Sequence, residues 1–218
     1  MSLEERARRQ RALERAAGTV EACRKCAIGV SRTRSVYGEG DPCAALMVVG
    51  EGPGENEDRL GRPFVGRAGE LLDRMLLAIG LPREDVFICN TVKCRPTFDD
   101  GTRLRNRAPD PSELGNCRPY LDEQIEIVRP RVILAVGAPA ARSFMGETFS
   151  ITKQRGIWSI GPRETPVIAT FHPAYILRLT GGEINAVKRL VWEDLKKVRA
   201  RLDEPAPGPI AEQAPLFE

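Results

Sequence analysis

The stretch LMVVGEGPGENED, residues 46–58, decides how this chain folds. Its first five residues form an unbroken apolar run, which then breaks into glycine, proline and acids. Such a run suits a strand buried on both faces of a parallel sheet. Its abrupt end is how a strand hands the chain to a ligand loop. Three other segments repeat the pattern: VFICN (86–90) before TVKC, VILAVG (132–137) before APAARSFM, and VIAT (167–170) before FHPAY. Helical sequence lies between them. AGELLDRMLLAI (68–79) has helical periodicity, with Gly80 as a C-terminal stop. Asp110-Pro111 opens a helix to about Val128, with proline in the favourable first turn. APAARSFM follows the third strand as a helix, residues 183–202 form the last one, and residues 3–25 form an amphipathic first one.

Strands alternating with helices imply an α/β fold, a parallel sheet with helices on both faces. Ligands of such sheets bind beyond the C-terminal ends of the strands. The loops GEGPGENED, NTVKC and FHPAY should therefore gather at one edge. No internal repeat is present. The expected organisation is a single domain over 1–202 and a disordered, Pro-rich, acidic tail over 203–218.

Composition narrows the function classes. The chain has 218 residues, of which 42% are hydrophobic, enough for a substantial core. No window approaches a membrane span. MSLEERARRQRALERAAG is charged and lacks the apolar stretch of a signal peptide, so a location in the cytosol, the bacterial cytosol or nucleoid, is expected. Net charge is +3, but the tail carries four acids and no base, which leaves the body at +7. A basic body, rich in arginine, is compatible with a polyanionic partner and does not establish one.

Disulfides are rare in the cytosol, so the six cysteines point to metal, redox chemistry or core filling. Cys23-x2-Cys26 can hold one metal centre with two thiolates from one turn. Cys94 and Cys117 could complete a four-thiolate site, for zinc or for an iron–sulfur cluster. The spacing does not choose between those metals, and unrelated free thiols are the plainer alternative. Cys43 and Cys89 sit at or in strands and read as core thiols.

The strand ends carry the other chemistry. GEGPGENED is neither a G-x-G-x-x-G nor a Walker loop, and its acids would repel phosphate. Glu51 and Glu57 suit orienting water or stabilising a cation. Asn90 ends a strand with an amide that can donate and accept together, matching a uracil-like edge; a turn-forming asparagine is the plainer reading. His172, the only histidine, follows the fourth strand, where either a structural or a catalytic part fits. Phe64, among glycines and prolines, is a satellite core residue or a stacking platform for a base.

These residues together resemble the type-4 (thermostable, iron–sulfur) uracil-DNA glycosylases. The matching motifs are GEGPGENEDRLGRPFVGRAGELLD (50–73), ICNTVKCRP (88–96) and TFHPAYILR (170–178), with the four cysteines, over residues 17 to 200. The resemblance implies a three-layer α/β/α fold around a four-stranded parallel sheet. It implies a [4Fe–4S] cluster on Cys23, Cys26, Cys94 and Cys117, and hydrolysis of the N-glycosidic bond of deoxyuridine in DNA. It further implies that Phe64 stacks on the extruded uracil in a pocket including Gly52, that Asn90 bonds its polar edge, and that His172 donates to O2. Glu51 would position water; Glu57 would lie near the C5 edge, excluding thymine's methyl, or handle water. A base inside a duplex is unreachable, so such an enzyme must extrude it. A wedge into the duplex is expected within Ile176, Leu177 and Arg178, and a monomer is expected from the family.

Two segments depart from the family pattern. TFDDGTRLRNRA (97–108) is inserted between Cys94 and Cys117, with Arg103, Arg105 and Arg107 alternating as DNA-backbone contacts or as a solvated loop. A sister group carries a loop here whose histidine becomes linked to DNA; this insertion has no histidine, so that trapping is not expected. In the tail, QAPLF (213–217) resembles the peptides that bind the bacterial sliding clamp, with Gln213, Leu216 and Phe217 as its anchors. Two competing readings are an iron–sulfur nucleic-acid or redox module without catalysis, and a zinc-stabilised domain accompanying a polymerase.

Overall fold

The computed structural model describes residues 2–205. The four apolar runs form strands β2 (Leu46–Gly50), β3 (Phe87–Asn90), β6 (Val132–Val136) and β8 (Pro166–Thr170). They pair in parallel, with β3 and β6 on either side of β2, and β8 beyond β6. Two short strands extend this sheet antiparallel at its edges: β1 (Glu39–Gly40) on β3 and β7 (Trp158–Ile160) on β8. Among the described residues the sheet therefore has six strands rather than the four expected. Both additions are at most three residues long and partly exposed, so neither leaves an apolar run to read.

The insertion is a separate hairpin, β4 (Thr97–Asp99) and β5 (Leu104–Asn106), which does not join the main sheet. The helices are α1 (Leu3–Ala22), α2 (Ala27–Ser31), α3 (Glu55–Leu60), α4 (Arg67–Leu77), α5 (Pro111–Val128), α6 (Ala138–Met145), α7 (Ile151–Gln154), α8 (Pro173–Ile176) and α9 (Glu183–Asp203). The expected start of α5 is built as a capping box. Asp110 Oδ1 accepts the Glu113 N–H at 2.8 Å, and Glu113 Oε2 accepts the Asp110 N–H at 2.9 Å.

Alternate strand residues supply two cores, one on each face. Met47, Val49, Phe87, Ile133 and Ala135 pack with Leu13 and Val20 of α1 and Leu121 and Ile125 of α5. Leu46, Val48, Ile88, Leu134 and Ile168 pack with Leu72 and Leu76 of α4 and Leu195 and Val198 of α9. Burying each of these side chains larger than alanine contributes about 1.5–3 kcal/mol, which is why these strands read as continuous apolar runs. The crossovers from β2 to β3 and from β6 to β8 run in opposite directions along the sheet. This switch point leaves a crevice at the C-terminal edge, where β2, β3 and β8 release their polar loops.

Candidate active site

The crevice holds a cavity of about 330 Å³ whose lining includes Glu51, Gly52, Glu57, Phe64, Asn90 and His172. All six pocket residues read from the sequence thus meet in one place. Asn90 sits in register with Gly50 on the neighbouring strand. A Cβ at Gly50 would lie 2.6 Å from the Phe64 ring and closer still to Asn90 Oδ1, so only glycine lets the two side chains converge. Asn90 is 2% exposed, yet its amide makes no hydrogen bond among the described residues. An uncommitted amide facing a cavity is poised for a ligand with both a donor and an acceptor.

His172 caps the N-terminus of α8, and its Nδ1 accepts the Ala174 N–H at 3.1 Å. A backbone N–H only donates, so Nδ1 is unprotonated and the ring proton of the neutral form sits on Nε2. Burial, reinforced by the Arg178 guanidinium and partly opposed by Glu57, lowers the His172 pKa to about 4. At neutral pH this side chain is an uncharged donor. The Phe64 ring lies beside it, with centroids 5.7 Å apart and planes at 27°.

The two carboxylates differ. Glu51 is partly buried, and burial alone raises its carboxyl above the ordinary range. Glu57 is committed to backbone. Its Oε2 accepts the Gly54 N–H at 3.1 Å, and its Oε1 accepts those of Val65 and Gly66 at 2.9 and 3.2 Å. It closes the loop on itself, a role that the bare sequence does not show.

The residues read as DNA contacts separate. Arg107 forks onto Glu113 at 2.6 and 2.7 Å and donates to the Thr97 carbonyl, so it fastens the hairpin to α5. Arg105 pairs with Asp100. Arg103 is exposed and has no ion pair among the described residues. Ile176 is 2% exposed and belongs to the core, so its side chain does not reach the surface; Leu177 and Arg178 are exposed beside it. Gln213, Leu216 and Phe217 lie outside the described residues.

Cys23 follows α1, Cys26 caps α2, Cys94 lies beyond β3 and Cys117 is on α5; all four pack at the same core. Arg32 Nη1 donates to Cys94 Sγ at 3.2 Å and to the Cys23 carbonyl at 3.0 Å. Burial acts to raise the Cys23 thiol, but the Tyr120 hydroxyl, Lys25 and Arg32 outweigh it and bring it below its ordinary value. Burial pushes the Cys94 thiol up to about 11. Among the described residues no three side chains of His, Cys, Asp or Glu converge as they would on a single ion. A tetrahedral zinc would draw its sulfurs to roughly 3.8 Å apart, given Zn–S bonds of about 2.3 Å.

Lys93 and Gln124 have a part in the structure that the sequence does not signal. Lys93 is fully buried; its Nζ donates to the Asn90 carbonyl and to Gln124 Oε1, both at 2.6 Å. Gln124 Nε2 passes on to the Tyr37 carbonyl at 2.7 Å. Among the described residues no carboxylate acts on this amine, and the nearby groups able to carry negative charge are the thiols of Cys89, Cys117 and Cys94. A polar residue between apolar strand ends gives no signal of such burial.

Comparison with known proteins agrees with this geometry. The family model "Uracil DNA glycosylase superfamily" matches residues 37–196. A type-4 uracil-DNA glycosylase of Thermotoga maritima is 45% identical over 88% of this chain and 95% of its own length. One from Sulfurisphaera tokodaii is 45% identical over 86% and 83%, and one from Saccharolobus solfataricus 40% over 87% and 86%. The pocket, the sheet edge that builds it and these matches lead to one conclusion: the chain belongs to the uracil DNA glycosylase superfamily, with the type-4 enzymes.

Proposed function

We propose that this protein removes uracil from DNA by hydrolysing the N-glycosidic bond of an extruded deoxyuridine. Uracil leaves and an abasic site remains for base excision repair. The observation that carries this reading is the His172 ring, which lines the cavity shared by Asn90 and Phe64 and whose Nδ1 is taken by the Ala174 N–H, so that Nε2 carries the proton of the neutral ring. Bond breaking leaves negative charge on uracil and positive charge on the sugar. Nε2–H would donate to uracil O2 as that charge accumulates, without transferring its proton. The Asn90 amide would read the polar edge, Phe64 would stack on the ring, and Gly52 would let the loop approach closely. Glu51, a carboxylate with little solvent, would orient the water that adds to C1′ and favour the sugar cation. The residues given roles here all come from one chain, which supports reading the enzyme as a monomer.

The cysteines fit an anionic [4Fe–4S] cluster held by Cys23, Cys26, Cys94 and Cys117, with Arg32, Lys25 and Lys93 to offset its charge. Such a cluster would supply either a structural tie or a redox-active centre. DNA contacts would come from Arg103 and Arg105 on the hairpin and from Leu177 and Arg178 beside the pocket, with Arg107 holding the hairpin's base. QAPLF (213–217) would tether the enzyme to the sliding clamp, and work on chromosomal DNA would place it in the cytosol.

The test is uracil release from a single-uracil oligonucleotide by wild type and by His172→Ala. Wild-type release with about a 10²- to 10³-fold slower mutant is expected, as for the loss of one anion-stabilising donor. Equal rates would remove His172 from the chemistry.

A further inference from the structure

Phe64 is one of four non-glycine residues with positive φ among those described, at +50°, and the only one in the cavity. A side chain pays strain in this region and keeps such a conformation only when its surroundings over-determine it. Two charged groups do so here, from opposite sides of the same backbone. On the carbonyl side, Arg83 Nη2 donates to the Pro63 carbonyl at 2.6 Å and Nη1 to the Phe64 carbonyl at 3.4 Å. On the amide side, Glu57 Oε1 accepts the N–H groups of Val65 and Gly66. Gly69 leaves the space that the Phe64 carbonyl occupies; a Cβ there would overlap it.

Arg83 is itself aimed. Its Nη2 and Nε donate to Glu39 Oε1 at 2.8 and 3.1 Å, and its Nη1 to Asp73 Oδ1 at 2.8 Å. Glu39 also takes Arg62 in a fork, at 2.7 and 3.0 Å. The guanidinium does not line the cavity. Its planar donors suit several acceptors held at fixed angles, which a lysine could not satisfy together.

We propose that Arg83 is a positioning residue for uracil excision, forming with Glu57 a two-sided clamp on backbone 63–66 that fixes the Phe64 ring as the platform for the base. The inference rests on the function proposed above. It also gives Glu57 a different task from the one expected. Three N–H groups occupy its carboxylate, so its effect on the substrate passes through Phe64 and Gly54.

The test compares full-length Arg83→Gln, Arg83→Lys, Glu57→Gln, Phe64→Ala and the double variant Phe64→Ala/Arg83→Gln. It reads kcat and KM on a single-uracil oligonucleotide and the inhibition constant of free uracil. In Arg83→Gln the uracil constant should rise about tenfold and kcat should fall similarly, the scale of a lost charged hydrogen bond. KM for DNA should stay within about twofold, because strand contacts do not pass through the clamp. Glu57→Gln should move the same constants in the same direction, and Arg83→Lys should fall between. In the Phe64→Ala background, Arg83→Gln should add less than about twofold. A general loss of folded protein lowers apparent kcat and leaves the uracil constant unmoved, which separates the clamp from a structural role. An unchanged uracil constant in Arg83→Gln, or losses that multiply in the double variant, would overturn the clamp. If wild type released no uracil from DNA, the function reading would fall; calorimetric binding of free uracil to wild type and Arg83→Gln would still judge the clamp.

Discussion

At the scale of the residue, the decisive feature is a lone pair. His172 Nδ1 is occupied by the Ala174 N–H, and burial and Arg178 hold the ring's pKa near 4. The neutral donor should therefore persist well below neutrality. Uracil release should show no histidine-dependent loss from pH 7 down to about 5, and should fail only as pH nears 4. A pH–rate profile with a break near 6.5 would contradict this. The same shift affects stability. The unfolded ring titrates near 6.5 and the folded one near 4, so the unfolded state binds more protons between those values. The contribution is fully present above about 6.5 and is lost as pH falls to about 4, about 3 kcal/mol in all. Urea unfolding at pH 7 and 4.5 should show that loss in wild type and a smaller one in His172→Asn. Asn90, His172 and Phe64 could be read from the sequence because each stands next to a strand end or among glycines. The backbone bonds of Glu57 and the burial of Lys93 could not, because they depend on groups the fold brings in, the N–H groups of Val65 and Gly66 for one and the Gln124 side chain for the other.

At the scale of the element, burial decides what is legible. The four parallel strands are covered on both faces, so each became an apolar run with few alternatives. Strands β1 and β7 pair along one side only, are very short, and carry Glu39, Trp158 and Ser159, which no pattern marks as sheet. The hairpin was equally hidden, since Phe98 and Leu104 stay half exposed instead of alternating into a core. Arg107 and Asn106 bind its base to Glu113 and Arg95, while its strands pair only with each other among the described residues. Replacing 98–105 by a short glycine turn should therefore shift the thermal midpoint little, within about 0.5 kcal/mol of stability. It should raise KM for DNA about tenfold with kcat kept, through loss of Arg103 and Arg105, which steady-state kinetics on the oligonucleotide would read. An unchanged KM would return the hairpin to the status of a solvated loop.

At the scale of the whole molecule, two regions outside the pocket remain to be tied to it. The cysteine end touches the pocket through Lys93, which bonds the carbonyl of Asn90 itself. Cys94→Ala should lose iron and visible colour and destabilise the fold; a mutant with full iron content by metal analysis would show that Cys94 is not a ligand. The tail should be dispensable for chemistry. Deleting 213–218 should leave uracil release unchanged and abolish binding to a purified sliding clamp, and equal clamp affinity before and after would end that reading. One last consequence follows from the single histidine among 218 residues. A nitrogen-15 spectrum of this protein's imidazoles can contain only one ring, assigned without a mutant. Its two nitrogens should appear as one bare and one protonated, and adding uracil should move that lone pair of signals, so the enzyme carries its own built-in reporter for occupancy of the site.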